Sequence, residues 1–176
     1  MRDLGVIILA AGEGKRMKSR LPKVLHCLGG KPLFFYPLEI ARSLNPKRIA
    51  IVVGHGAEEV KRSCADNGIN WVLQQRQLGT GHAVGCTKEI FDVFSGDLLI
   101  LSGDVPLISQ GSLLGLLRHH HEQEAVLTFM TAFLDHLTGY GRIVRNENKE
   151  LIGIVEERDA NQPEKKIKEV NAGIYV

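Results

Sequence analysis

The chain has 176 residues, 44% of them hydrophobic and 24% charged, with a formal net charge of +2. That suits one globular domain with a real core and leaves too little chain for two ordinary ones. Near-balanced charge gives no general reason to expect nucleic acid or a membrane surface as partner, and no apolar run approaches the roughly 18 residues of a membrane span.

The N-terminus, MRDLGVIILAAG, carries an Asp and runs into a basic loop without a small-residue cleavage site, so it reads as a first strand and not a signal peptide. The residues then alternate short β-branched runs with helical spacing. Strands are predicted over 5–10 (GVIILA), 48–54 (RIAIVVG), 70–74 (NWVLQ), 97–104 (DLLILSGD) and 125–133 (AVLTFMTAF). Helices are predicted over 33–44, with Pro37 near the start or at a kink, and over 57–65, 80–94 and 109–121. This alternation predicts an α/β fold: a Rossmann-like three-layer αβα arrangement around a mainly parallel, twisted sheet. Beyond Phe133 the rhythm changes. Residues 139–159 read as a hairpin insertion turning at 146–149, and NAGIYV reads as an edge strand with no successor, which suggests a domain cut short.

Cys27, Cys64 and Cys86 are odd in number, widely spaced and never in a Cys-x-x-Cys pair; reduced thiols in a cytoplasmic protein are the simplest account. His119, His120 and His121 are consecutive, so on a helix they diverge and cannot chelate as an i, i+4 pair would. They suit the negative end of the helix dipole, and zinc is not expected.

In a parallel sheet, ligands sit outside the carboxyl ends of the strands. Three suggestive segments fall there: AAGEGKR after the first strand, QQRQLGTGH after the third and GDVP after the fourth. The first fits neither familiar phosphate loop. Met17 stands where a dinucleotide fingerprint needs its third glycine, and Leu9 and Arg16 stand where a P-loop needs Gly and Ser or Thr. Its chemistry still suits phosphate: Gly12 and Gly14 admit close backbone approach, Arg16 offers a planar fork and Lys23 a mobile charge. A solvated basic turn is the plain alternative.

The runs LAAGEGKRM and PKVL, followed in order by QLGTGHA, GDVPLI, TGYGRIVR, GIVEE and EVNAGIYV, resemble nucleotidyltransferases. Over essentially the whole chain they resemble the uridylyltransferase domain of the bacterial bifunctional N-acetylglucosamine-1-phosphate uridylyltransferase/glucosamine-1-phosphate acetyltransferases. The resemblance implies UTP and N-acetylglucosamine-1-phosphate as substrates, in-line attack on the α-phosphorus and release of pyrophosphate, with Mg²⁺ as cofactor. It assigns Arg16 and Lys23 catalytic roles, with Lys15 beside them facing the leaving phosphates. Nucleotide contacts go to Leu9, Ala10, Ala11, Gly12, Gly14, Gln74, Gly79 and Thr80. Sugar contacts go to Ser102, Gly103, Gly141, Glu156 and Asn171, and the metal goes to Asp104.

The residues' own chemistry leaves alternatives. Asp104 suits a cation, or a turn in which it bonds its own backbone. Gln74 suits a base edge or a polar strand end, and its amide, if flipped, would suit cytosine nearly as well as uracil. Residues 79–81 suit a nucleotide or simply a helix start capped by Thr80. No general base is demanded, because a sugar phosphate oxygen is already anionic at neutral pH. The family's second metal ligand, an Asn, lies further along than position 176, and Ser102 and Lys15 stand where relatives often carry Tyr and Thr. The resemblance also implies that residues 1–176 are one nucleotidyltransferase domain incomplete at its C-terminus, without the trimerising β-helix acetyltransferase domain through which oligomerisation would come. Rival readings are a cytidylyl- or thymidylyltransferase of the same fold, and a nucleotide-binding fragment without turnover.

Overall fold

The computed structural model describes residues 2–14, 17–64 and 67–176. Strand β1 (Asp3–Ala10) leads through a 3-10 turn at Lys23–Leu25 to a small ribbon of β2 (Cys27–Leu28) and β3 (Lys31–Pro32), then to α1 (Phe35–Ser43). Next come β4 (Arg48–Val53), α2 (Ala57–Ser63), β5 (Ile69–Leu73), α3 (Thr80–Gly85), α4 (Lys88–Phe91), β6 (Gly96–Ser102) and α5 (Gln110–Glu122). The chain ends with β7 (Phe129–Phe133), β8 (Arg142–Arg145), β9 (Leu151–Val155) and β10 (Glu169–Tyr175). Among the described residues no helix is long and apolar enough to cross a membrane.

Eight strands form one sheet in the order β5-β4-β1-β6-β10-β8-β9, with β7 also paired to β10. Its β5-β4-β1-β6 half is parallel, as the alternation predicts. The unbroken apolar run of β1 follows from burial on both faces. Val6, Ile8 and Ala10 point to a layer containing Phe34, Leu38 and Ala41 around α1, Val60 of α2, and Leu113 and Leu116 of α5. Ile7, one residue out of phase, joins Ala50 and Val52 beneath Ala83 of α3 and Phe91 of α4. Period two thus sorts one strand's side chains between two helical layers. Phe34 and Leu38 are fully buried, each contributing about 2–3 kcal/mol of hydrophobic stabilisation. Pro37 falls in the first turn of α1, where its missing N–H costs nothing.

Several expectations change. NAGIYV is not an edge: β10 lies inside the sheet, antiparallel to β6, β7 and β8, because Tyr175 pairs with Ile100 while Val170 pairs with Ala132 and Arg142. The 139–159 hairpin, β8 with β9, therefore extends the main sheet through β10. It turns at Asn146, whose Oδ1 accepts from Glu150 N at 2.8 Å. The helix predicted over 80–94 breaks into α3 and α4 at Thr87, a buried residue whose hydroxyl donates back to Val84 O at 2.7 Å. The strand predicted from 125 starts at Phe129, and Ala65, the predicted end of the second helix, lies outside the described residues.

The histidines do end α5, and two of them also tie elements together. Buried His120 shares a 2.9 Å hydrogen bond with Thr128 through Nδ1, and His121 Nε2 bonds the buried carboxylate of Asp97.

Candidate active site

A cleft of about 800 Å³ opens at the carboxyl ends of β1 and β6. Seven residues expected in the site line it: Leu9, Gly12, Gly14, Lys23, Ser102, Asp104 and Asn171. A second cavity of about 760 Å³ lies at the opposite ends of the strands, around Leu4, Leu44, Leu117 and Asp97, and holds none of the expected residues.

The first wall is the loop after β1. Ala10 and Ala11 are buried under it, and Gly14 takes φ +63°, a left-handed backbone that suits glycine. A Cβ on Gly14 would stand 2.7 Å from Lys23 Cβ, so the missing side chain lets the loop lie against Lys23. Lys23 itself is held by its neighbours, because buried Val24 and Leu25 root the 3-10 turn in the core and leave its ammonium in the cleft. Lys15 and Arg16 lie outside the described residues.

The floor comes from β6. Gly103 N donates to Leu9 O at 2.9 Å, extending the pairing of β1 and β6 one step past Ser102. A Cβ there would sit 3.0 Å from Leu9 O, so glycine allows the two strand ends to close up. The next residue, Asp104, then meets Lys23, whose Nζ donates to its Oδ2.

The far wall is β10. Its pairing shifts register between Asn171 and Tyr175, with Gly173 at φ +73°, and the bulge turns this stretch toward the cleft. Asn171 builds the bulge: its Oδ1 accepts from Gly173 N at 3.0 Å and its Nδ2 donates to Tyr175 Oη at 2.6 Å. One amide hydrogen and one lone pair are left for other contacts. Ser102 Oγ donates to Gly173 O at 3.3 Å, tying floor to wall. Asn171 N also donates to Gly141 O at 2.9 Å, and the place of a Cβ on Gly141 is 3.4 Å from Glu156 Oε1. Gly141, Glu156 and Asn171, distant in sequence, are thus brought together.

Gln74, Gly79 and Thr80 form a separate group at the carboxyl end of β5. Gln74 is only 3% exposed; its Nε2 donates to Gly79 O at 3.2 Å and lies 2.9 Å from His82 Nδ1. Thr80 does not cap α3. It is the first helical residue, and Gly79, at φ +104°, occupies the cap position with no side-chain bond.

Thr138, Gly139 and Tyr140, which open the run TGYGRIVR but were given no site role from the sequence, also line the cleft. Their loop is pinned by Glu157, which accepts from Gly139 N, and by Arg142, a fully buried guanidinium that donates to Tyr140 O. The sequence signal is a Tyr between two glycines, and the structure puts the first of these, Gly139, at φ +85°.

Residues 6–164 match the model of the MobA-like NTP transferase domain. The chain is 47% identical over 173 residues to the bifunctional protein GlmU of Syntrophotalea carbinolica, covering 98% of this chain and 37% of that protein. It is 50% identical over 170 residues to GlmU of Trichlorobacter lovleyi (96% and 37%) and 45% identical over 175 residues to GlmU of Brevibacillus brevis (99% and 38%). The chain therefore spans less than two fifths of these relatives. Among solved structures, a Bacillus anthracis protein described as a candidate glucose-1-phosphate thymidylyltransferase, in complex with sucrose, superposes with a TM-score of 0.75. It is 18% identical, and the match covers 98% of this chain and 70% of that one, a likeness of fold.

Proposed function

The chain belongs to the MobA-like NTP transferase family, and from that premise we propose that it joins UTP to N-acetylglucosamine-1-phosphate, forming UDP-N-acetylglucosamine and pyrophosphate. In this reading the reaction is cytoplasmic and supplies a cell-wall precursor. The single observation that supports it most is the cleft itself. Gly12 and Gly14, the Lys23–Asp104 pair and Asn171 line one space, with Gly141 and Glu156 beside Asn171, an arrangement that suits a nucleotide at one end, a sugar at the other and their phosphates between.

The step is an in-line displacement. A phosphate oxygen of the sugar phosphate bonds to the α-phosphorus of UTP, the bond from that phosphorus to the bridging oxygen breaks, and pyrophosphate leaves with the electron pair. No proton need be removed from the attacking oxygen, so the protein's part is positioning and charge. Gly12 and Gly14 offer backbone approach to the triphosphate, Lys23 a point charge to the transferring group, and Arg16, assigned from sequence, a fork to the leaving phosphates.

The fit of Mg²⁺ rests on Asp104, a carboxylate open to the cleft beside the one cation described there. Mg²⁺ accepts a single carboxylate together with waters and phosphate oxygens, so Asp104 suits it as the protein ligand. The ion would supply neutralisation of phosphate charge.

The test is pyrophosphate release from UTP with N-acetylglucosamine-1-phosphate, run beside CTP, dTTP and other sugar phosphates. Turnover only with CTP or dTTP would move the chain to a cytidylyl- or thymidylyltransferase. A second reading, nucleotide binding without turnover, is favoured by the engagement of Asp104 with Lys23, which occupies one oxygen of the carboxylate that would take the ion. Calorimetric binding of UTP without pyrophosphate release in Mg²⁺ would establish it.

A further inference from the structure

Gln74 as a residue type does not choose between uracil and cytosine; the way its amide is held does. We infer that His82, with the carbonyl of Gly79, fixes that amide so that only its oxygen faces the base, making His82 a positioning residue for base selection. The inference rests on the functional reading above, in which Gln74 meets the base.

The amide nitrogen of buried Gln74 has two neighbours, a backbone carbonyl and an imidazole nitrogen. Gly79 O is a backbone carbonyl, 3.2 Å from Nε2, and cannot donate. His82 Nδ1, 2.9 Å away, accepts when the imidazole carries its proton on Nε2. Each takes one hydrogen of the NH₂ group, which is then spent. A flip would set the amide oxygen against two acceptors, and an unmatched buried partner costs about a factor of ten to a hundred. Nor is the carboxamide free to slide, because Gln74 N is bound to Val53 O at 2.8 Å at the end of the parallel sheet.

What remains is Oε1, an acceptor to which the described protein supplies no hydrogen bond. Uracil presents a donor at N3–H flanked by two carbonyl oxygens, so Oε1 and N3–H match. Cytosine presents a bare N3 at the same place, and its amino group could reach Oε1 only after a shift of the ring. Thymine shares the uracil edge. The lock thus selects pyrimidines with a protonated N3 and rejects cytosine, without separating UTP from dTTP. It also explains the position of an imidazole that the phosphoryl chemistry does not use.

Calorimetric titration of UTP and CTP into the wild-type chain, His82→Phe and His82→Asn tests this. Phe keeps the ring and loses the acceptor; Asn offers Oδ1 close to where Nδ1 stood. The wild type is expected to bind UTP more tightly than CTP. His82→Phe should narrow the UTP/CTP ratio by about tenfold, chiefly through weaker UTP binding, as one lost partner implies. His82→Asn should restore the ratio. A ratio unchanged in His82→Phe, or one lost equally in both variants, would overturn the role of His82. A wild type that binds no pyrimidine nucleotide would instead overturn the functional reading.

Discussion

Lys23 and Asp104 stand 81 positions apart and meet as an ion pair in the cleft, each about one third exposed. One arrives on a turn rooted by Val24 and Leu25, the other on a strand end closed against Leu9 through Gly103. A pair this exposed contributes little to stability, about 0–1 kcal/mol. It is therefore open to exchange: incoming phosphates can draw the ammonium, and the carboxylate can turn to a cation.

Lys23→Ala should for that reason fold normally and lose turnover. The expected drop in kcat is roughly 10²–10³, the usual cost of removing a preorganised charge donor. Pyrophosphate release beside a thermal melt separates the two effects. A variant within threefold of wild-type kcat would remove Lys23 from the chemistry.

Gly12 and Gly14 should respond differently to alanine. A Cβ on Gly14 collides with Lys23 and sits at positive φ, so Gly14→Ala should lose about 1–2 kcal/mol in urea unfolding. A Cβ on Gly12 meets nothing within 4 Å, so stability should hold. It would nonetheless project where a phosphate is proposed to approach the backbone, and the Kd for UTP should rise about tenfold, the worth of about one hydrogen bond to a charged group. Unchanged UTP affinity in Gly12→Ala would place the nucleotide elsewhere.

Asp97 anchors the other end of the sheet. Only 8% exposed, it holds His121, with Arg2 at 3.7 Å and His120 at 3.8 Å. Asp97→Ala should destabilise the chain by roughly 1–3 kcal/mol, the cost of partners left unmet. UTP affinity, proposed to reside at the opposite strand ends, should stay within twofold. A large loss of binding at unchanged stability would contradict this separation.

Glu169 supplies an acid-sensitive contact. A bidentate bond from Arg145, at 2.8 Å to each oxygen, holds its carboxyl below the usual range, helped by Thr131 and opposed by burial. A depressed folded pKa gives stability that is complete above the unfolded value, about 4.3, and lost as pH falls through the folded one. Glu169→Gln should therefore cost stability at pH 7 and progressively less below pH 4, measured by urea unfolding across that range. An equal cost at pH 7 and pH 3 would show that the pair does not titrate with folding.

The parallel half of the fold could be read from the residues because its signals are local. GVIILA and RIAIVV are apolar on both faces and separated by helical spacing, and a strand between two helical layers demands that composition. Ser109 before α5 is equally local: it caps by accepting from Ser112 N at 3.0 Å. The break at Thr87 was less visible, since a Thr hydroxyl turned back on its own helix leaves no mark in the hydrophobic period.

By itself, then, the sequence determined the layers, the pattern of glycines and charges at the carboxyl ends of the strands, and the residue types that could meet phosphate. It did so through periodicity, glycine and charge, each a property of neighbours along the chain. Only the tertiary structure decided that NAGIYV enters the sheet between β6 and β8, that its bulge carries Asn171 and Gly173 to the cleft, and that the Gln74 amide nitrogen meets Gly79 O and His82. Each of those outcomes depends on which distant backbone group answers a strand edge or an amide. Pairing of that kind is settled when the chain folds, because a hydrogen bond's partner is chosen by position in space.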